Sequence, residues 1–308
     1  MRAERHAWVL LALLWHAACG AVGLTAPQVL DAGVLLIAPR HGGAAPDGAT
    51  NVVMLAGRDH TLVFGTGQAY RDGRFLLDVL ANRRLPPVRM ALIPAGLPGY
   101  VFGAAALQDA GVPVAATAAT AALVAQRCEQ CLERLLAAHG EAIMAGSRVP
   151  VADETLHGAT RVDLGGRRVR LIDLGWAAVP GELALFDEAT ATLVTAEAVT
   201  GEALPWLHDA QVTGWLAALD RLAALQPRRI VVGRGAPLPP AAIDRTRAYL
   251  VALRDGVREA YHNGLSLNEA MAALRRPGLT AEEARVHAAN VQYLYLRLEK
   301  ADLEGTPP

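Results

Sequence analysis

At 308 residues and 53% hydrophobic content, the chain can bury one large core or two small ones. With a formal net charge of −1, nothing argues for a nucleic-acid partner, and none is expected. Lys300 is the single lysine, and the remaining fixed positive charge is arginine.

Residues 1–21 read as a signal peptide. Arg2 and Arg5 give a positive start, Ala7–Trp15 is a short apolar run, and Ala17, Ala18, Gly20 and Ala21 offer the small side chains of a cleavage site. The run is too short to span a bilayer comfortably, so the membrane is met only through this leader and the mature chain is expected in the periplasm or outside the cell. Cys19 after Ala17-Ala18 has the form of a lipoprotein site, but His16 stands where such sites carry an aliphatic residue, so anchoring is the lesser expectation. Only Cys128 and Cys131 then remain, as Cys-Glu-Gln-Cys in a helical run. In an exported protein such a pair can oxidise. One reading is a redox-active motif; the other is a local disulfide or two buried thiols. The second is preferred, because no thioredoxin-like βαβ unit surrounds the motif.

Next in the chain, 34–37 is a short apolar strand, followed by a loop over 41–49. The runs 51–57 and 61–64 make a hairpin through Arg58-Asp59-His60. A helix over 75–83 and a strand over 88–93 come next. Beyond a Gly/Pro-rich loop, 102–110 reads as helix, 112–114 as strand and 117–139 as a long helix. The runs 155–164 and 169–174 read as strands joined at Gly165-Gly166, and 183–186 with 192–195 as a further hairpin. An amphipathic helix over 212–225 precedes a last buried strand, 229–232. From Pro240 the pattern is helical, over 241–261, 267–274 and 281–303, with Ser266 and Glu269 forming a capping box. No repeat or low-complexity linker interrupts it. Hairpins alternating with strand–helix units predict an α/β fold of two mixed sheets faced by helices.

The stretch 91–107, Ala-Leu-Ile-Pro-Ala-Gly-Leu-Pro-Gly-Tyr-Val-Phe-Gly-Ala-Ala-Ala-Leu, ends a buried strand and opens a helix. That is where α/β folds keep their chemistry. It resembles the metal-binding loop of the metallo-β-lactamase superfamily, in the form His-x-His-Pro-Asp-His-Val-Phe-Gly of the quinoprotein relay system zinc metallohydrolases. Pro98, Val101, Phe102 and Gly103 match and set the register. The resemblance covers about 30–304. It implies an αββα sandwich over 27–239, with a helical C-terminal extension over 240–304 packed on the same domain.

The same resemblance implies a dinuclear zinc site that lowers the pKa of a bound water and polarises a scissile carbonyl. The ligand positions, however, are Ala95, Leu97, Gly99 and Tyr100 in the first loop, Ala178 before Pro180-Gly181, Glu197 at the bridging aspartate, and Arg234 between Gly233 and Gly235. Gly65 replaces the aspartate of an Asp-Thr-Gly turn ahead of Thr66-Gly67. Of these residues only Glu197 is a metal ligand, and one carboxylate does not hold zinc against water. No cofactor is therefore expected. With the ions gone, Arg234 is placed to pair with Glu197, the Tyr100 hydroxyl joining them. Trp176, Trp206 and His208 stand in adjacent loops and, with Tyr100, are expected to line an apolar pocket; ordinary core packing is the alternative. Tyr100 and Glu197 are the candidates that remain for acid–base chemistry.

Two functions follow. The first is a non-catalytic relative, a pseudoenzyme that binds a small molecule or a periplasmic protein, with the family pointing to a quinoprotein dehydrogenase system. The alternative is a hydrolase with rearranged, metal-independent or atypical chemistry. The first is preferred, because an enzyme that had merely changed its metal would keep some of the ligands.

Overall fold

The strands come first, because their periodicity explains the layers. In the computed structural model, which describes residues 23–40, 48–201 and 203–305, β1 (Gln28–Asp31), β2 (Val34–Ile37), β3 (Val52–Ala56) and β4 (Thr61–Phe64) form an antiparallel run. β5 (Val88–Leu92), β6 (Val114–Thr117) and β7 (Glu154–Leu156) extend it in parallel, giving a seven-stranded sheet in the order β1 to β7. The signal peptide expected over 1–21, with Cys19, lies outside the described residues. A second sheet holds β8 (Thr160–Asp163), β9 (Arg168–Asp173), β10 (Leu183–Asp187), β11 (Thr192–Thr195) and β12 (Arg229–Val231), in the order β12-β11-β10-β9-β8.

The strands β2, β3 and β4 are apolar except for Thr61 because both faces of their sheet are covered. Alternate residues go to different cores. Val34, Leu36, Val53 and Leu55 face the second sheet, meeting Leu183, Leu185 and Val194. Leu35, Ile37, Val52 and Met54 face the other way, onto Leu76, Leu107 and Leu135. Those last residues come from α1 (Tyr70–Asn82), α2 (Ala104–Asp109) and α3 (Ala118–His139). A one-turn α4 (Glu141–Met144) follows. On the far side, Ala184, Phe186 and Leu193 pack under α5 (Val212–Ala223) and α6 (Ala242–His262) through Trp215, Leu219 and Leu250. The result is an α/β sandwich of four layers, helix, sheet, sheet, helix, as expected.

α7 (Leu267–Ala273) and α8 (Ala281–Glu304) share that outer core through Ala270, Val291 and Tyr295. A buried polar network fastens α8 to the loop after β11. The Asn290 amide donates to the Pro205 carbonyl at 2.7 Å and to Tyr249 Oη at 3.0 Å, and its oxygen accepts from the Leu207 amide at 3.0 Å.

The structure departs from the sequence pattern at several points; the strand expected over 112–114 is β6 at Val114–Thr117, and α4 was not expected. The run 155–164 is not one strand: it bends at Gly158, where φ is +60°, and β7 joins the first sheet while β8 joins the second. Only glycine takes that conformation without strain, and the segment is the crossing between sheets. The first helix begins at Tyr70 rather than 75, because the Asp72 carboxylate accepts from the amides of Gln68 and Ala69 and closes its first turn. β1, an edge strand with exposed residues, has no apolar run to announce it.

Candidate functional site

Four loops meet at one end of the sandwich, after β5, β9, β11 and β12. In the first, Pro98 opens a 3-10 turn (Pro98–Tyr100), and its fixed φ suits that position. The turn is pinned from outside: Thr50 Oγ1 donates to the Gly99 carbonyl at 2.7 Å, and Thr66 Oγ1 to the Tyr100 carbonyl at 2.6 Å. The glycine that follows is required by close packing, since a Cβ on Gly103 would lie 1.8 Å from the Thr66 carbonyl oxygen. The frame of the loop is thus held by backbone contacts that need no metal.

Inside that frame, Ala95, Tyr100, Val179 and Ala196 form a small apolar cluster with Leu97 against it. Tyr100 is wholly buried. Its hydroxyl donates to Glu197 Oε1 at 3.0 Å, and Arg234 Nη1 reaches Glu197 Oε1 at 2.8 Å and Oε2 at 2.7 Å. The Glu197 and Arg234 side chains are only 17% and 16% exposed. Two glycines make room for the tyrosine. A Cβ on Gly233 would stand 2.0 Å from its hydroxyl, and one on Gly65 would stand 3.4 Å from its ring. Burial, and secondly the charge of Glu197, hold the Tyr100 hydroxyl well above its usual pKa.

A second carboxyl group lies beneath the pair. Glu182 is fully buried, and its Oε1 accepts from the amides of Glu197 at 2.7 Å and Ala198 at 2.6 Å. Its Oε2 has no hydrogen-bond partner among the described residues. Burial first, and then the neighbouring Glu197, push its pKa up to about 8, so it is mostly protonated at neutral pH. The sequence offered a signal: Glu182 directly follows the matched Pro180-Gly181 of the second loop.

Above this floor opens a cleft of about 1100 Å³. Leu97, Ala178, Glu197, Trp206, His208 and Arg234 are among its lining residues. Trp206 and His208 both stack edge-on to Tyr293 of α8, at 5.9 and 5.1 Å between centroids. Trp176 is not brought into this set. The residue is 54% exposed and its Nε1 donates to the Asp209 carbonyl at 2.6 Å, so it braces the loop from outside. Ala95, Gly99 and Tyr100 lie behind the cleft wall.

The disulfide weighed for Cys128 and Cys131 is absent: both are free thiols. They sit in the middle of α3 rather than at its start, Cys128 packed against the first sheet with Val124 and Leu135 and Cys131 at the margin of that core beside the cleft. No helix N-terminus is therefore available to lower a thiol pKa there.

No protein-family model matches the sequence, and no curated protein does. Solved structures do match. The metallo-beta-lactamase from Pontibacter korlensis is 16% identical, with a TM-score of 0.59 over 74% of this chain and 99% of that one. The chain has the metallo-β-lactamase fold. FIM-1 from Pseudomonas aeruginosa, in its mono-zinc form, gives a TM-score of 0.59 at 14% identity, over 75% of this chain and 96% of the other. DIM-1 gives 0.60 at 12%, over 75% and 98%.

This fold family implies zinc, and the donor set here does not fit it. Among the described residues no three His, Cys, Asp or Glu side chains are grouped as a metal site requires. The two carboxyl groups at the floor of the cleft are engaged otherwise, Glu197 by Arg234 and Tyr100, and Glu182 by backbone amides. A guanidinium beside Glu197 also repels a cation.

Proposed function

We propose that this chain is a metal-independent relative of the zinc hydrolases, using the cleft to bind a small molecule rather than to hydrolyse one. The observation that carries this reading is the Arg234 guanidinium seated on both oxygens of Glu197. A permanent positive charge there takes over the electrostatic role of a metal ion, stabilising a partly buried carboxylate. The hydrolase alternative would need Tyr100 or Glu197 as acid or base. Tyr100 is sealed from the cleft with its pKa raised, and Glu197 is already ion-paired, so neither is free to shuttle a proton.

Export by residues 1–21 belongs to this proposal, as does a periplasmic setting near a quinoprotein dehydrogenase, which rests on the loop resemblance. No helix among the described residues is long and apolar enough to cross a membrane.

Elemental analysis of protein purified without chelator, before and after zinc supplementation, tests the reading. Less than about a tenth of an equivalent is expected, given how tightly protein zinc sites bind. Zinc or chelator should leave the melting temperature unchanged, because a species that does not bind the folded state cannot stabilise it. Near-stoichiometric zinc together with hydrolysis of a chromogenic β-lactam would overturn it.

A further inference from the structure

One face of α3 forms a wall of the cleft, through Arg127, Gln130, Cys131 and Arg134. These positions follow helical spacing, i, i+3, i+4 and i+7. The two thiols stand differently on it. Cys131 lines the cleft and is 6% exposed, whereas Cys128, one turn earlier, is completely buried. Arg134 Nη2 donates to Cys131 Sγ at 3.5 Å. Cys128 is hydrogen-bonded to Cys131, and that bond, then burial, then the charge of Cys131 raise the Cys128 pKa. A guanidinium and a thiol thus converge on the Cys131 sulfur at the edge of the cleft, while Cys128 is held protonated behind it.

We propose that Cys131 is a nucleophilic thiol opening onto the cleft, with Cys128 as its resolving partner, and that the pair exchanges with low-molecular-weight disulfides. The Cys131 thiolate attacks one sulfur of a disulfide RS–SR, forming a mixed disulfide and releasing RS⁻. Cys128 Sγ then attacks Cys131 Sγ, its proton passing to the departing sulfur, which leaves as RSH. The dithiol is oxidised by two electrons and RS–SR is reduced to two thiols. A helical i, i+3 pair sets Cβ atoms about 5–6 Å apart, against about 3.5–4.5 Å in a disulfide. Closing the bond must therefore tighten a turn of α3, and a strained disulfide is readily reduced again. This chemistry does not rest on the metal-free reading, and its test involves no metal.

The test is to treat the full chain with oxidised glutathione and follow intact mass and peptide maps, which separate Cys19 from the helical pair. The native protein should pass through a glutathione adduct on Cys131 and end lighter by two hydrogens, with Cys128 and Cys131 joined. Cys128→Ser should stop at the Cys131 adduct, and Cys131→Ser should leave Cys128 unmodified. Arg134→Gln should slow adduct formation about tenfold, the loss of one nearby positive charge. An adduct on Cys128 in Cys131→Ser at the native rate would overturn the assignment. So would a persistent, unresolved Cys131 adduct in the native chain. If a variant does not fold, the native chain alone decides: no reaction while the urea-unfolded chain reacts overturns the proposal.

Discussion

Two arginine–carboxylate pairs sit at opposite ends of the sandwich, and their geometries differ in kind. At the end away from the cleft, Arg167 forks onto Asp187, with Nε to Oδ1 at 3.0 Å and Nη2 to Oδ2 at 2.7 Å. Its Nη1 reaches across to the Ala32 and Ala56 carbonyls of the first sheet, at 2.7 and 3.3 Å. Asp187 is fully buried, and Thr190 donates to it as well. At the cleft end, a single nitrogen of Arg234 spans both oxygens of Glu197, and the pair is partly exposed. The first is a bolt between sheets. The second sits where four loops meet, above the buried Glu182 and against a cleft. Burial and fork geometry separate a structural pair from a site pair, although both read as Arg plus acid in sequence.

Breaking the bolt should cost most. Asp187→Ala strands a buried guanidinium, and chemical denaturation should register a loss of about 3–5 kcal/mol. If the loss were no larger than that for Arg234, the contrast between the two ends would fail.

The next effect depends on pH. Glu182 keeps its proton in the folded chain up to about 8, whereas an ordinary glutamate loses it near 4.5. Between those values the folded state binds more protons than the unfolded one, so stability falls as pH rises through the window. The drop should be on the order of a few kcal/mol. Glu182→Gln should flatten it, leaving the variant more stable than the parent above pH about 8 and similar to it near 4.5. Equal slopes in denaturation curves taken across the window would show that Glu182 is solvated.

Arg234→Met should cost about 1–3 kcal/mol, less than the bolt because Glu197 retains some solvent and the Tyr100 hydroxyl. The double variant Glu197→Gln/Arg234→Met should recover much of that, since no charge is left stranded; a double-mutant cycle with zero coupling would deny the pair. Smallest and most local is Gly233→Ala, which drives a methyl into the Tyr100 hydroxyl and should cost about 1–2 kcal/mol as overpacking. Adding Tyr100→Phe should restore part of the loss, and the remainder reports the Ala196 carbonyl, 2.4 Å from the same Cβ position.

Much of the fold was legible locally. The β2–β4 strands announced themselves by apolar runs, and α7 by its capping box, realised as Ser266 and Glu269 donating to and accepting from each other. Of the matched residues, Gly103 marked the loop frame because a side chain there would strike the Thr66 carbonyl, and Pro98 because its fixed φ suits the start of the turn. The split of 155–164 was not legible: its residue pattern runs on smoothly, and which sheet each half joins is decided by β6 and β9, not by the segment itself.

By itself, the sequence determined the order of elements, the fold family's loop frame and the absence of its ligand residues, because these depend on residue type and on neighbours a few positions away. Tertiary structure alone decided that Tyr100 meets Glu197 across 97 positions of chain, that Glu182 is sealed beneath them, that Trp176 turns outward, and that Cys131 faces the cleft while Cys128 does not. Burial and charge are properties of surroundings, and those exist only once the strand ends from both sheets are brought together.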